Sequence, residues 1–142
     1  MTKSENNNSK NLKTKTKKAV KNSDLKGSDN LLEQIVEGIR EKKGLDIVYI
    51  DLKKINSSIC DYFVICHGTS GTQVKSIAES IEDTVRKTIG IKPAWREGLA
   101  NAEWVLLDYM DVVVHIFQED VRNFYQLEAL WADAPINKMN SD

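Results

Sequence analysis

Cysteine is nearly absent: Cys60 and Cys66 are the only two in 142 residues. Two thiols do not build a disulfide framework, and nothing else in the composition asks for an oxidising compartment, so both are expected to be reduced. Histidine is as scarce, with His67 and His115 alone. Without a Cys-x-x-Cys spacing, two thiols and two imidazoles make a poor zinc site, and no metal is expected. No apolar run approaches the roughly 20 residues needed to span a bilayer. The N-terminus lacks the apolar stretch of a secretory signal. These absences point to a cytoplasmic protein without membrane contact. A basic body is missing too: residues 31–142 carry 12 Lys and Arg against 18 Asp and Glu, a net of −6. Such a body is poorly suited to gripping nucleic-acid phosphates and better suited to a basic protein.

The overall charge of −1 hides an opposite tail. Residues 1–30 carry eight Lys against Glu5, Asp24 and Asp29, a net of +5. Residues 1–28 are mostly Asn, Lys, Ser and Thr, so they cannot bury enough surface to offset the entropy of ordering, and disorder is expected. The absence of Arg and the three acids argue against a transit peptide. Two readings of the tail stand, a solvated extension or an arm with weak RNA contact. The remaining length suits one domain, placed at 29–134, with 135–142 as a short C-terminal tail.

Within the domain the apolar pattern is regular. Leu31, Leu32, Ile35, Val36 and Ile39 share one helical face, Asn30 and Glu33 resemble a capping box, and Gly44 is a natural stop. Ile47–Leu52 and Tyr62–Cys66 read as strands. After His67–Thr72 (HGTSGT), Ser70 and Gln73 form a capping box for a helix with Val74, Ile77, Ala78, Ile81 and Val85 inside. Lys92–Gly98 reads as irregular or briefly extended. Trp104–Tyr109 and Val112–Phe117 are expected strands joined at Met110–Asp111. A last helix from Glu119 is expected to turn Phe124, Leu127, Leu130 and Trp131 inward. The fold class is therefore α/β (α+β), a mixed sheet of about five strands with packed helices.

Catalytic arrangements are weak. The His67–Thr72 turn leads into a helix N-terminus, where backbone N–H groups can hold phosphate, but it lacks the full P-loop spacing. A nucleotide-binding or nucleotidyl-transferring enzyme using this turn is the alternative reading. That chemistry needs clustered carboxylates, and the domain has no Asp-x-Asp; Asp46 and Asp51 are five apart, and Asp108 and Asp111 flank a turn. Cys66 and His67 are adjacent in a strand and point apart, so they are no ready thiol pair; His115 is the other imidazole within consideration. No catalytic residue and no cofactor are expected. The Trp104–Asp111 hairpin has apolar residues on both faces, Trp104 and Leu106 on one, Val105, Leu107 and Tyr109 on the other. A central strand covered on both sides and an exposed docking patch both fit that pattern. Large aromatics edged with acids match the make-up of binding hot spots.

Spaced motifs add to this reading. Asp61–Ile65 (DYFVI), His67–Ser70 (HGTS), Gln73-Val74, Ile77-Ala78, Glu97-Gly98, Trp104–Asp108 (WVLLD), Asp111–His115 (DVVVH) and Phe124–Trp131 (FYQLEALW) resemble, in order, the ribosomal silencing factor or Iojap-like family. The resemblance runs from about Leu31 to Ala134. It implies a nucleotidyltransferase-like fold without the catalytic acids. It also implies binding to the large ribosomal subunit through its fourteenth protein, which blocks joining of the small subunit and lowers translation when nutrients are short. Under it Glu97, Trp104, Asp108, Tyr109, Met110 and Asp111 are the partner-binding residues. Trp104 and Tyr109 would be apolar anchors, and Glu97 and Asp111 would pair with Lys or Arg. Asp108 and His115 would alternatively support the hairpin from within. The same face could make a homodimer when the factor is free. One departure stands out. The family commonly has Gly where this chain has Met110, and a Met at positive φ costs on the order of 1 kcal/mol. Either the turn takes another geometry, or Met110 is kept for apolar contact with the partner.

Overall fold

The β-branched runs become the centre of one mixed sheet in the computed structural model, which describes residues 27–55, 59–131 and 133–139. Most of the tail expected at 1–28 lies outside the described residues. The elements are α1 (Gly27–Glu41), β1 (Leu45–Asp51), β2 (Tyr62–Gly68), α2 (Gly71–Thr88), β3 (Trp95–Glu97), β4 (Trp104–Asp108), β5 (Val112–Gln118), α3 (Glu119–Tyr125) and β6 (Ile136–Met139). Short 3-10 turns follow β1 at Leu52–Ile55 and α3 at Leu127–Trp131. The strand order is β3-β4-β5-β2-β1-β6. β2 and β5 are parallel, and every other pair is antiparallel.

Alternation along each strand splits the core into two layers. Ile47, Val64, Cys66, Val105, Leu107, Val114 and Ile116 face α1 and α2, where they meet Ile35, Ile39, Val74, Ile77 and Ile81. Val48, Ile50, Phe63, Ile65, Val113 and Phe117 face the other way, towards Val121 of α3 and Leu127 and Trp131 of the turn after it. Both central strands are buried almost throughout, in keeping with their largely apolar sequences.

Lys92–Gly98 takes the extended of its two expected forms, with Trp95–Glu97 as a short edge strand. Two elements differ from the sequence expectation. The C-terminal segment expected as a tail from 135 supplies β6, antiparallel to β1. The last helix stops at Tyr125, because Gln126 adopts a left-handed φ of +48° and the chain tightens into the 3-10 turn. The expected inner stripe is broken as a result. Leu127 and Trp131 pack inward, but Phe124 is 79% and Leu130 74% exposed. Arg122 accounts for this: its buried guanidinium reaches the carbonyl of Asp46, and that rotation fixes which face of α3 points in.

The two long helices cross at Gly38. The Ser80 hydroxyl donates to the Gly38 carbonyl at 2.7 Å. A Cβ on Gly38 would stand 2.8 Å from the Ile81 Cα and 3.1 Å from the Ser80 carbonyl oxygen. Backbone cannot yield as a side chain can, so overpacking by about 1–3 kcal/mol outweighs the roughly 1 kcal/mol that Ala gains in helix propensity. Gly38→Ala is therefore expected to lose about 1 kcal/mol in urea unfolding. An equal or higher midpoint would mean that the helices separate freely.

Candidate protein-docking face

The hairpin's two faces have different fates. Val105 and Leu107 lie under the helices with Tyr109, whereas Trp104, Leu106 and Asp108 are half-buried on the opposite face. Directly opposed residues of an antiparallel pair share a face. Register therefore puts Trp95 beside Asp108 and Glu97 beside Leu106. Trp104, Leu106 and Asp108 stand in turn against Phe117, His115 and Val113. The α3 layer reaches only part of this surface, through Tyr125, whose ring centroid lies 5.0 Å from that of Trp104. The result is a sheet corner of two indoles and a leucine with Glu97, Asp108 and the turn residues Met110 and Asp111 around it.

Trp104 is held firmly. Its ring centroid is 4.8 Å from that of Phe117, and its Nε1 donates to His115 Nδ1 at 3.1 Å. An accepting Nδ1 puts the neutral imidazole's proton on Nε2, which is buried and has no hydrogen-bond partner among the described residues. Burial pushes the His115 pKa down to about 4, with only a small opposing pull from Asp108. The ring is therefore neutral at pH 7, as an acceptor for the indole must be.

The turn itself is tight. Asp111 N–H donates to the Tyr109 carbonyl at 3.0 Å across Met110, whose φ is +77°. This is the pattern of a strained γ-turn. Asp108 supports it by accepting the Met110 N–H at 2.8 Å. The Asp111 carbonyl is tied to the start of β2, accepting from Asp61 N–H at 2.8 Å and Tyr62 N–H at 3.2 Å. Of the two possibilities for Met110, an altered turn is thus ruled out: the chain keeps the positive φ and bears its cost. The Met110 side chain is 67% exposed.

Three of the sequence-predicted residues, Glu97, Met110 and Asp111, are exposed, and Trp104 and Asp108 are half-buried. Tyr109 requires a correction. It is 5% exposed, packed among the α2-side core residues, and burial raises its pKa. It cannot be an exposed anchor in this conformation; it supports the hairpin from beneath. The opposite omission is Trp95, 60% exposed on the same face as Leu106 and Asp108, with its Nε1 donating to Glu97 Oε1 at 2.9 Å. Same-face spacing of Trp95 and Glu97 follows from the extended alternative for Lys92–Gly98 and is the signal that reveals it.

The competing sites are used structurally. In the His67–Thr72 turn, Gln73 Oε1 accepts the Thr69 N–H at 2.8 Å and Ser70 Oγ accepts the Gln73 N–H at 3.1 Å. Gln73 Nε2 donates to the carbonyls of Lys42 and Lys43, strapping the turn to the end of α1. His67 Nδ1 is 2.9 Å from the Arg122 guanidinium, which also binds Glu128. Cys66 is fully buried on the α2 side, its thiol pushed up to about 12 by burial, while His115 lies on the other face. Asp51 accepts the Lys53 N–H, and Asp46 sits at the β1 irregularity with a φ of +48°. Among the described residues, no three His, Cys, Asp or Glu gather as a metal site would need.

Residues 25–142 match the family model described as ribosomal silencing factor during starvation. The chain belongs to this family. The ribosomal silencing factor of Bacillus subtilis is 47% identical over 96 residues, covering 68% of this chain and 80% of that protein. That of Haemophilus influenzae is 40% identical, covering 72% of this chain and 98% of that protein. The chloroplastic Iojap protein of Zea mays is 37% identical over 73 residues, 51% of this chain and 31% of its own length. A crystal structure from Chromobacterium violaceum superposes with a TM-score of 0.71 at 33% identity, over 75% of this chain and 88% of the other. One from Bacillus halodurans gives 0.68 at 39% identity, over 78% and 99%. For a ribosomal silencing factor, whose role is regulation of translation, an exposed aromatic corner is a more pertinent feature than any cluster of acids.

Two predictions follow from this geometry. Met110→Gly is expected to raise stability by about 1 kcal/mol through relief of the positive φ, less what glycine adds to unfolded-chain entropy; calorimetry checks it, and a lower melting temperature would contradict the strain. The second concerns acid. Because the folded pKa of His115 lies below the ordinary 6.5, the unfolded chain takes up the proton first. Its contribution is complete above about pH 6.5 and is lost towards pH 4, on the order of 3 kcal/mol in all. His67, lowered by burial and then by Arg122, acts in the same direction. Denaturant titrations should show a shallower loss over that interval for His115→Gln, and an unchanged slope would contradict its buried neutral state.

Proposed function

We propose that this protein docks on the large ribosomal subunit through its fourteenth protein and sterically blocks joining of the small subunit. It acts by occupying a surface of the cytoplasmic ribosome and catalyses no reaction. The observation that supports this reading best is the open corner of β3, β4 and β5. There a half-buried Trp104, held by His115 and Phe117, shares a face with Leu106 and Glu97, and the exposed Met110 and Asp111 lie in the turn at the far end of the strand.

A rigid aromatic loses little side-chain entropy on binding, and a buried indole at the centre of an interface commonly dominates its energy. Trp104 is the anchor, and Leu106 and Met110 extend the apolar contact. Glu97 and Asp111 form an acidic rim that attracts a basic partner and fixes its orientation. Tyr109 and His115 keep the hairpin rigid. The engaged polar groups of the His67–Thr72 turn support the non-catalytic reading.

The test is sedimentation of purified subunits with the protein present. Co-sedimentation with the large subunit and fewer joined ribosomes are expected. Trp104→Ala should weaken binding by about 2 kcal/mol or more, with the fold checked by thermal unfolding because Trp104 also packs on Phe117. Asp111→Lys, at an exposed position, should weaken it through charge reversal. Subunits that join normally in the presence of excess wild-type protein would sink the proposal.

A further inference from the structure

The least explained side chain on this face is Trp95. An indole is costly to leave 60% in water, and among the described residues no other ring packs on it: it lies on the short edge strand and its one polar atom is spent on Glu97. Its setting is acidic. Glu97 is two residues along the same face, its carboxylate drawn to the ring edge by the 2.9 Å hydrogen bond, and Asp108 lies directly across the β3–β4 pair. The strands β3, β4 and β5 contain one Lys or Arg between them, Arg96. It points to the opposite face, where Glu82 accepts from it at 2.6 and 3.3 Å. The carboxylates beside Trp95 therefore have no cation from their own strands.

We propose that Trp95, with Glu97 and Asp108 beside it, is the seat for an arginine or lysine side chain of the basic protein on which this face docks. The proposal rests on the docking reading above and adds to it the chemistry of one contact. An apolar partner side chain laid over Trp95 would strip water from two carboxylates and give nothing back. A cation satisfies both carboxylates while resting on the indole's negative face, the most favourable of the aromatic rings for this contact. Guanidinium fits better than ammonium, because it stacks flat on the ring and offers paired donors to a carboxylate. A nucleic-acid backbone is repelled by the same charges. The Trp95–Glu97 hydrogen bond makes the seat ready-formed, since it fixes the ring and the acid relative to each other before the partner arrives.

The experiment measures affinity of the full chain for purified large subunits, with Trp95→Ala, Trp95→Leu, Trp95→Phe and Glu97→Gln compared with wild type and with Trp104→Ala. Trp95 lies at an exposed edge, so the variants should keep the wild-type unfolding temperature. Trp95→Ala is expected to weaken binding about tenfold and Trp95→Leu nearly as much, with Trp95→Phe retaining most of it. Glu97→Gln should weaken binding and flatten its dependence on salt. If Trp95→Leu binds like wild type, the contact is apolar and the cation seat is wrong. If Trp95→Ala binds like wild type while Trp104→Ala does not, the seat is wrong and docking stands. If neither substitution matters, docking through this face fails and the seat with it.

Discussion

The parallel pairing of β2 with β5 is the constraint on which the remainder of the molecule depends. Parallel neighbours cannot be joined by a hairpin, so the chain must leave one edge, cross a face and return. Here α2 makes the crossing, and β3 and β4 are laid down on the way back to β5. Both central strands are thereby sealed on two sides, which suits their largely apolar content. The strands formed on the return path lie towards one edge. The second helical layer, α3 and its 3-10 turn, follows β5 and is too short to cover them. An open aromatic corner is thus a product of chain connectivity as well as of local sequence.

Rigidity on that corner comes from polar ties set beneath it. His115 holds the Trp104 indole, Asp108 holds the Met110 amide, and the Asp111 carbonyl is fastened to β2. The ties at Met110 and Asp111 act on backbone atoms and leave their exposed side chains free. On the far side of the same layer, Arg122 joins α3 to the β1 irregularity and to Glu128, and so fixes the inner face of a helix only seven residues long. A neutral imidazole is needed at both His67 and His115, and burial provides it.

Much of this was legible from sequence where period and capping chemistry agree. The stripe Val74–Val85 and the Ser70–Gln73 cap predicted α2, and the β-branched runs predicted β1, β2, β4 and β5. The candidate site was legible in composition but not in orientation. Period 2 separated Trp104 from Tyr109, yet only the helices packed on one face decide which of them is buried. Trp95 escaped because a three-residue strand has too short a period to recognise. The end of α3 escaped because Gln126 carries no glycine-like signal for its left-handed conformation, and the inward turn of Arg122 depends on a carbonyl 76 residues away. β6 lacks a strong apolar alternation and is stabilised by its position beside β1.

That last strand has a consequence for handling the molecule. With Ile136–Met139 in place, the flank of β1 is hydrogen-bonded from Ile47 to Ile50. A chain ended at Ala134 would still hold both helical layers' main contacts, but would bare the backbone donors and acceptors of a strand reading Leu-Asp-Ile-Val-Tyr-Ile-Asp. Unpaired edges of that composition recruit other strands. The four terminal residues of the sheet thus serve as a guard against aggregation, at the edge opposite β3.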